Sequence, residues 1–334
     1  LEVSTREVSI VGALNGAAGF GQGRFNASLR DVGVLTDQIS GPIRATGAAS
    51  LDEDGNWGGD ANATGPGGLG AQIVGQVAQD GNLAIDIDGS APLALANTAI
   101  DPRRLSGLAN FDRSVNGPPE VGSLSGQITF TDGRLAAPNL GQALSGIAGQ
   151  VGLAGGTAQI DLRTQVEAGG SIAISGPVAM TGNNQADITV TVGDVVLQDP
   201  QLYSTEISGA INLNGPLRGG ARIAGTLNLA EANVRVPSSS ISSLGDLPDV
   251  VHVGASASVR ETLRRAGVLD DESEAASGGG GRAFPLDIVI NAPSRIFIRG
   301  RGLDAELGGS LTIGGTSANV QPVGRFSLVR GRID

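Results

Sequence analysis

Apolar and polar residues alternate along most of this chain, and the alternation keeps restarting at a glycine. One such unit is Gly126-Gln-Ile128-Thr-Phe130. It returns as Gly149-Gln-Val151-Gly-Leu153, Gly176-Pro-Val178-Ala-Met180, Gly209-Ala-Ile211-Asn-Leu213, Gly225-Thr-Leu227-Asn-Leu229, Gly309-Ser-Leu311-Thr-Ile313 and Gly324-Arg-Phe326-Ser-Leu328. A period of two is that of a β-strand, which sends successive side chains to opposite faces. The units therefore predict strands with an apolar stripe on one face and Gln, Thr, Asn, Ser and Arg on the other. The stripe residues are Ile128, Phe130, Val151, Leu153, Ile211, Leu213, Leu227, Leu229, Leu311, Ile313, Phe326 and Leu328.

Successive units start between 15 and 84 residues apart. A tightly coiled β-solenoid keeps a steadier period, so the spacing predicts a meander of antiparallel strands. Asp132-Gly133 is a hairpin pair by composition, since both residues tolerate positive φ; Asn15-Gly16, Asp54-Gly55, Asp80-Gly81, Asp88-Gly89 and Asn214-Gly215 are further turn candidates. About 20 strands at ~4.8 Å would make a sheet on the order of 100 Å long.

Three segments follow from the pattern. Residues 1–236 are a repetitive strand segment that would form a groove, and 286–334 continue it. Between them, 237–285 changes composition, with three serines at 238–240, acidic residues from Asp270 to Glu274 and four glycines at 278–281. Such a stretch buries too little apolar surface to hold itself fixed and reads as a flexible insertion. Its one helical signal is the capping box Ser258-Val259-Arg260-Glu261, opening a short run that ends near Gly267.

An alternating stripe needs something to lie against. With almost no helix to supply a second layer, either two sheets close on each other or one long sheet folds along its length and leaves an apolar trough. Exposed apolar area beyond a few hundred Å² normally marks a binding surface.

Composition narrows the chemistry. All 22 basic residues of the 334 are arginine; with 33 acidic residues the net charge is −11. Without lysine there is no P-loop of the usual kind and no Schiff base. One histidine and no cysteine leave neither a multi-histidine metal site nor thiolate chemistry. The acidic balance opposes nucleic acid, and 3% aromatic content argues against stacked bases or sugars.

Individual motifs also resolve into scaffold. Gly65-Pro-Gly67-Gly68-Leu69-Gly70 has the letters of a dinucleotide fingerprint, but the following Gln72 to Val77 reads as a strand. The acidic run Asp52 to Asp60 has its first glycine too early for a calcium loop and reads as an exposed turn. His252 lies in the strand-like Val250-Val-His-Val253 without a nucleophile elbow anywhere, and reads as structural. No catalytic residue, metal site or cofactor is expected. No run of ~18 apolar residues occurs, and the chain reads as a fragment whose targeting segment lies outside it.

The C-terminal third carries a resemblance. Ser294-Arg-Ile-Phe-Ile-Arg-Gly-Arg-Gly-Leu-Asp-Ala-Glu-Leu-Gly-Gly309, then Gly314-Gly-Thr316, then Gly324-Arg-Phe-Ser-Leu-Val-Arg-Gly-Arg332 resemble the C-terminal region of the TamB family, specifically over about 200–334. The resemblance implies a β-taco, a folded-over sheet with a hydrophobic concave face. It also implies a periplasmic protein anchored in the inner membrane through a segment missing here, with the family pattern continuing past Asp334. The implied work is outer-membrane biogenesis: conducting phospholipids between membranes, or assisting outer-membrane protein assembly with a TamA-type barrel.

The expectation is thus an all-β, elongated antiparallel sheet folded along its length, with an apolar groove for phospholipid acyl chains and no enzymatic activity. Small side chains (Ala, Gly, Val) would keep the groove open. The alternative is a secreted β-helical adhesin or autotransporter passenger, which shares the composition but has a closed, filled core.

Overall fold

The computed structural model describes residues 2–4, 8–17, 20–31, 40–100, 103–137, 142–199, 202–236 and 283–333. The insertion reading of 237–285, the short helix within it and His252 therefore fall almost wholly outside the described residues. Among the described residues, eighteen strands make a single sheet. They are β1 (Glu2–Ser4), β2 (Val8–Ala17), β3 (Phe20–Leu29), β4 (Ile43–Leu51), β5 (Trp57–Thr64), β6 (Gly70–Val77), β7 (Leu83–Pro92), β8 (Arg104–Gly117) and β9 (Leu124–Ala137). Next come β10 (Gln142–Ala154), β11 (Thr157–Val166), β12 (Ser171–Ala179), β13 (Gln185–Asp199), β14 (Tyr203–Pro216) and β15 (Arg222–Arg235). The last three are β16 (Leu286–Gly300), β17 (Leu303–Thr316) and β18 (Asn319–Ile333). Short 3-10 turns at Pro66–Gly68, Leu93–Ala96 and Val121–Ser123 and one helical turn at Asn97–Ile100 are the only helical pieces among the described residues.

Each strand pairs with its neighbour in sequence, and the pairing is antiparallel everywhere but once. The exception is β15 beside β16, which run parallel in the register Gly225↔Ile288 and Val234↔Ile298. Parallel neighbours need a crossover long enough to return the chain to the starting end. The composition break at 237–285 falls at that crossover, so the expected meander is interrupted where the alternation itself is. No pairing joins β1 to β18, and the sheet stays unclosed, elongated and taco-like. At ~4.8 Å between strands it extends about 80 Å.

Two expected turns hold. Asp54-Gly55 turns β4 into β5 and Asp80-Gly81 turns β6 into β7, with Gly55 at φ +81° and Gly81 at +87°. In the first turn, Asp52 accepts hydrogen bonds from the backbone and side chain of Asn56 at 2.8 and 3.0 Å. These lower the Asp52 carboxyl pKa, the side-chain bond most. Four other pairs are not turns: Asn15-Gly16, Asp88-Gly89, Asp132-Gly133 and Asn214-Gly215 all lie within strands. At Asp132, φ is +50° and the β8–β9 register slips between Ser106 and Leu108. The pair makes a bulge, which uses the same positive φ as a turn without ending the strand.

The unit glycines sit inside strands because nothing larger fits. A Cβ on Gly126, Gly149, Gly176, Gly209, Gly225, Gly309 or Gly324 would stand 2.0–2.3 Å from a carbonyl oxygen of the adjoining strand. Real Cβ atoms do not approach backbone so closely. The glycine therefore lets neighbouring strands come together at the head of each apolar run, a role the sequence pattern alone assigned merely to punctuation.

Little is buried deeply. The apolar residues counted as buried are all Ala or Val, among them Ala109, Val166, Val195 and Ala292, and no large side chain among the described residues is fully buried. The sheet has no second layer among the described residues. Its order comes from ladder hydrogen bonds and cross-strand side-chain pairs.

Candidate functional site: one continuous apolar face

Directly paired residues of adjacent strands point to the same face, so the register traces faces across the whole sheet. One trace runs Ala91–Ala109–Phe130–Gly149–Leu162–Ile174–Val190–Ile211–Gly225–Ile288–Ile313–Pro322. A second, two residues along, joins Ile10, Ala27, Ala45, Ala63, Ala71, Gly89, Phe111, Ile128, Val151 and Ile160. All twelve stripe residues lie on this one face: Ile128 pairs with Val151, Leu153 with Gly126, Leu213 with Ile223, Leu227 with Gly209, Leu229 with Ile207, Leu311 with Ile290, Phe326 with Gly309 and Leu328 with Leu307.

The two faces differ in exposure as well as in chemistry. Along β11 exposed and less exposed positions alternate strictly, and the apolar Ala158, Ile160 and Leu162 are the half-buried ones. The same holds at Ile128, Val151, Ile211, Leu213, Leu227 and Leu311, while Gln127, Gln150, Asn212, Asn228 and Thr312 are exposed. Phe326 and Leu328 lie on β18 and are 42% and 63% exposed. In the N-terminal half the face is lined by smaller residues. A shallow hollow of about 190 Å³ is bordered there by Phe25, Trp57, Ile73, Val77 and Ile85. Trp57, the only tryptophan, belongs to this face through its pairing with Leu51 and Val77 and is 47% exposed.

The opposite face is polar and cross-linked. Gln127 meets Gln150, Thr189 meets Asn212 at 2.9 Å, and Asn291 meets Asn228 at 3.3 Å. The arginine-rich C-terminal segments contribute here. Arg295 bridges to Glu231 at 2.6 Å, Arg299 reaches Asp304 and Asn233 at 3.3 Å, and Arg330 holds Glu306 at 2.6 Å. Arg299 also lies over the Phe297 ring, 4.7 Å from its centre. The Asn233 amide first, and Arg295 next, hold the Glu231 carboxyl below its usual range. These ion pairs run across β15 to β18 and tie together the strands whose other face carries Ile296, Leu307 and Leu328.

Residues 157–334, just over half the chain, match the TamB C-terminal domain. The chain belongs to the TamB family. The match begins at the first residue of β11 and so reaches about 40 residues further toward the N-terminus than the segment whose letters resemble the family. No curated protein and no solved structure matches the chain. TamB membership supports a role in outer-membrane biogenesis and assembly in general, the family being one of transport and assembly modules. No helix among the described residues is long and apolar enough to cross a membrane, and no cluster of metal-ligating side chains occurs among them.

Several face residues escape the seven repeated units. Phe25 and Ile85 lie in further runs of the same form, Gly23-Arg-Phe25-Asn-Ala27 and Gly81-Asn-Leu83-Ala-Ile85, while Trp57 and Ile73 lie in strands of eight residues that do not repeat it. Arg113 is different: the run Ala109-Asn-Phe111-Asp-Arg113-Ser-Val115 puts it in phase with the apolar positions, a signal that alternation alone could have supplied.

Proposed function

We propose that the apolar face lines a groove that conducts phospholipids between the inner and outer membranes. The observation that carries this reading is an apolar face continuous over the sheet, half-exposed, with no second layer laid on it among the described residues. Each acyl CH₂ moved from water onto such a surface gains roughly 0.8 kcal/mol. The gain is non-directional and similar from strand to strand, so a chain can slide from one row to the next without a large barrier. Residues such as Ile211, Leu213, Leu227, Leu311 and Ile313 present only branched carbon to the lipid, and the alanine rows of β4 to β6 leave room for it.

In this reading the protein works in the periplasm, held to the inner membrane by a segment outside this chain. It delivers lipid, or supports assembly of outer-membrane proteins, together with a TamA-type barrel. A β-helical passenger is disfavoured by the antiparallel pairing, since coils of a β-helix stack in parallel.

Trp57 supplies the test. Phospholipids brominated on their acyl chains should quench its fluorescence on binding. A control chain moves the indole to the opposite face by Trp57→Phe with Val74→Trp; Val74 pairs with Asp60 and Asp86 and is 46% exposed. That indole should stay unquenched. Equal quenching from both faces, or none from either, refutes a one-faced lipid groove.

A further inference from the structure

Arg113 interrupts the apolar face. Pairing sets it between Ile87 of β7 and Gly126 of β9, with Phe111 and Val115 two residues away along its own strand. Among the described residues it is the one charged residue that the pairing assigns to this face within a strand; Asp199 reaches the face only at the last position of β13. Its residue exposure is 7%, and neither Nη1 nor Nη2 has a hydrogen-bond partner. The adjacent Asp112 does not neutralise it in place, because Asp112 pairs with Asp88 and Gln127 on the polar face. Burial pulls the guanidinium pKa down, with Asp112 opposing from behind the sheet.

A buried cation with no counter-charge is strongly destabilising, and an apolar residue would continue the alternation at no such cost. An arginine in this setting is explained by a ligand that brings the missing anion. Guanidinium presents two parallel N–H donors that match the oxygens of a phosphate, and an apolar setting strengthens that contact. Apolar rows leave Arg113 in both directions along the sheet, so the same ligand would carry hydrocarbon.

We infer that Arg113 is a headgroup site, which receives the phosphodiester of a phospholipid while the acyl chains lie on the adjoining apolar rows. This rests on the lipid-groove reading and adds to it a stopping point, where a sliding lipid is held by its head rather than by its tail.

The full chain and its Arg113→Met variant should be titrated with short-chain phosphatidylglycerol, with the matching diacylglycerol and with oleate, following Trp57 three strands away. Loss of a charge-assisted contact should weaken phosphatidylglycerol roughly tenfold or more. Diacylglycerol should bind both chains alike, and millimolar inorganic phosphate should not compete. Urea unfolding of the lipid-free variant should occur at the same or a higher midpoint, since an unpaired cation has been removed. Equal phosphatidylglycerol affinity in the two chains overturns the headgroup site and leaves the groove standing. Failure of the wild type to bind either glycerolipid overturns the groove itself. Dependence on Arg113 for oleate alone, or competition by free phosphate, overturns the assignment to phosphodiester. A variant that unfolds at markedly lower urea makes Arg113 a structural residue and ends the proposal.

Discussion

Two glycines of β10 offer a matched test of why glycine heads each apolar run. Gly149 has φ +138°, and a Cβ there would lie 2.1 Å from the carbonyl oxygen of Asp161 on β11. Gly152, three residues further along the same strand, would place its Cβ in open space. In Gly149→Ala, positive φ alone costs an L-residue about 1–3 kcal/mol. The obstacle is backbone and cannot rotate aside, so β10 and β11 must separate by more than about 1 Å to restore ordinary contact. That stretches the flanking ladder hydrogen bonds, each worth about 1 kcal/mol net. The expected destabilisation is therefore about 3–5 kcal/mol. Gly152→Ala meets no obstacle and narrows the unfolded ensemble, so it should be neutral or stabilise by about 0.5 kcal/mol. Urea unfolding of the full chain, followed by circular dichroism, compares the two through their midpoints and slopes. If the variants unfold within about 0.5 kcal/mol of each other, close strand approach is not what requires glycine, and the account of the repeated unit fails.

Leu213→Arg and Leu311→Arg should both yield folded protein, because these two positions are half-exposed, unlike that of Arg113, and a guanidinium there can reach water past the rim, whereas a closed core would lose several kcal/mol; misfolding of both on expression would refute the open face at these positions. Both variants should nonetheless fail to restore outer-membrane integrity to cells lacking the native protein. The crossover from Arg235 to Leu286 must return along the length of β15, about 45 Å for its 14 residues. Replacing 237–282 with a flexible linker of some 25 residues should therefore preserve the parallel β15–β16 pairing, while about six residues cannot span it and should expose β16 to hydrogen exchange. The Glu231 carboxyl has its pKa lowered in the folded chain, so its stabilising contribution is present above the ordinary carboxylate range and disappears as pH falls through the folded value. Glu231→Gln should accordingly remove the difference in unfolding midpoint between neutral and acidic pH that this group supplies, and an unchanged difference would exclude its part in the ladder.

What alternation determines, it determined well. Period two is a local property of the extended chain, so the seven repeated units placed strands correctly, and the phase of Ile128, Leu213 or Ile313 assigned each to the same face before any pairing was known. Partner choice is another matter. Asp132-Gly133 and Asp80-Gly81 carry the same dihedral preference, yet one bulges within β9 and the other turns β6 into β7, because only the register of the adjoining strands decides between them. The parallel meeting of β15 and β16 depends on where a long crossover returns, which no local pattern encodes. Arg113 shows the division most clearly. Its phase is written in the alternation around Phe111 and Val115, but the lack of a hydrogen-bond partner at Nη1 and Nη2 arises from what β7 and β9 place beside it, namely Ile87 and a glycine. Side-chain direction is set within a strand by the backbone's own geometry; burial and neutralisation of charge are set by other strands, and those only folding brings near.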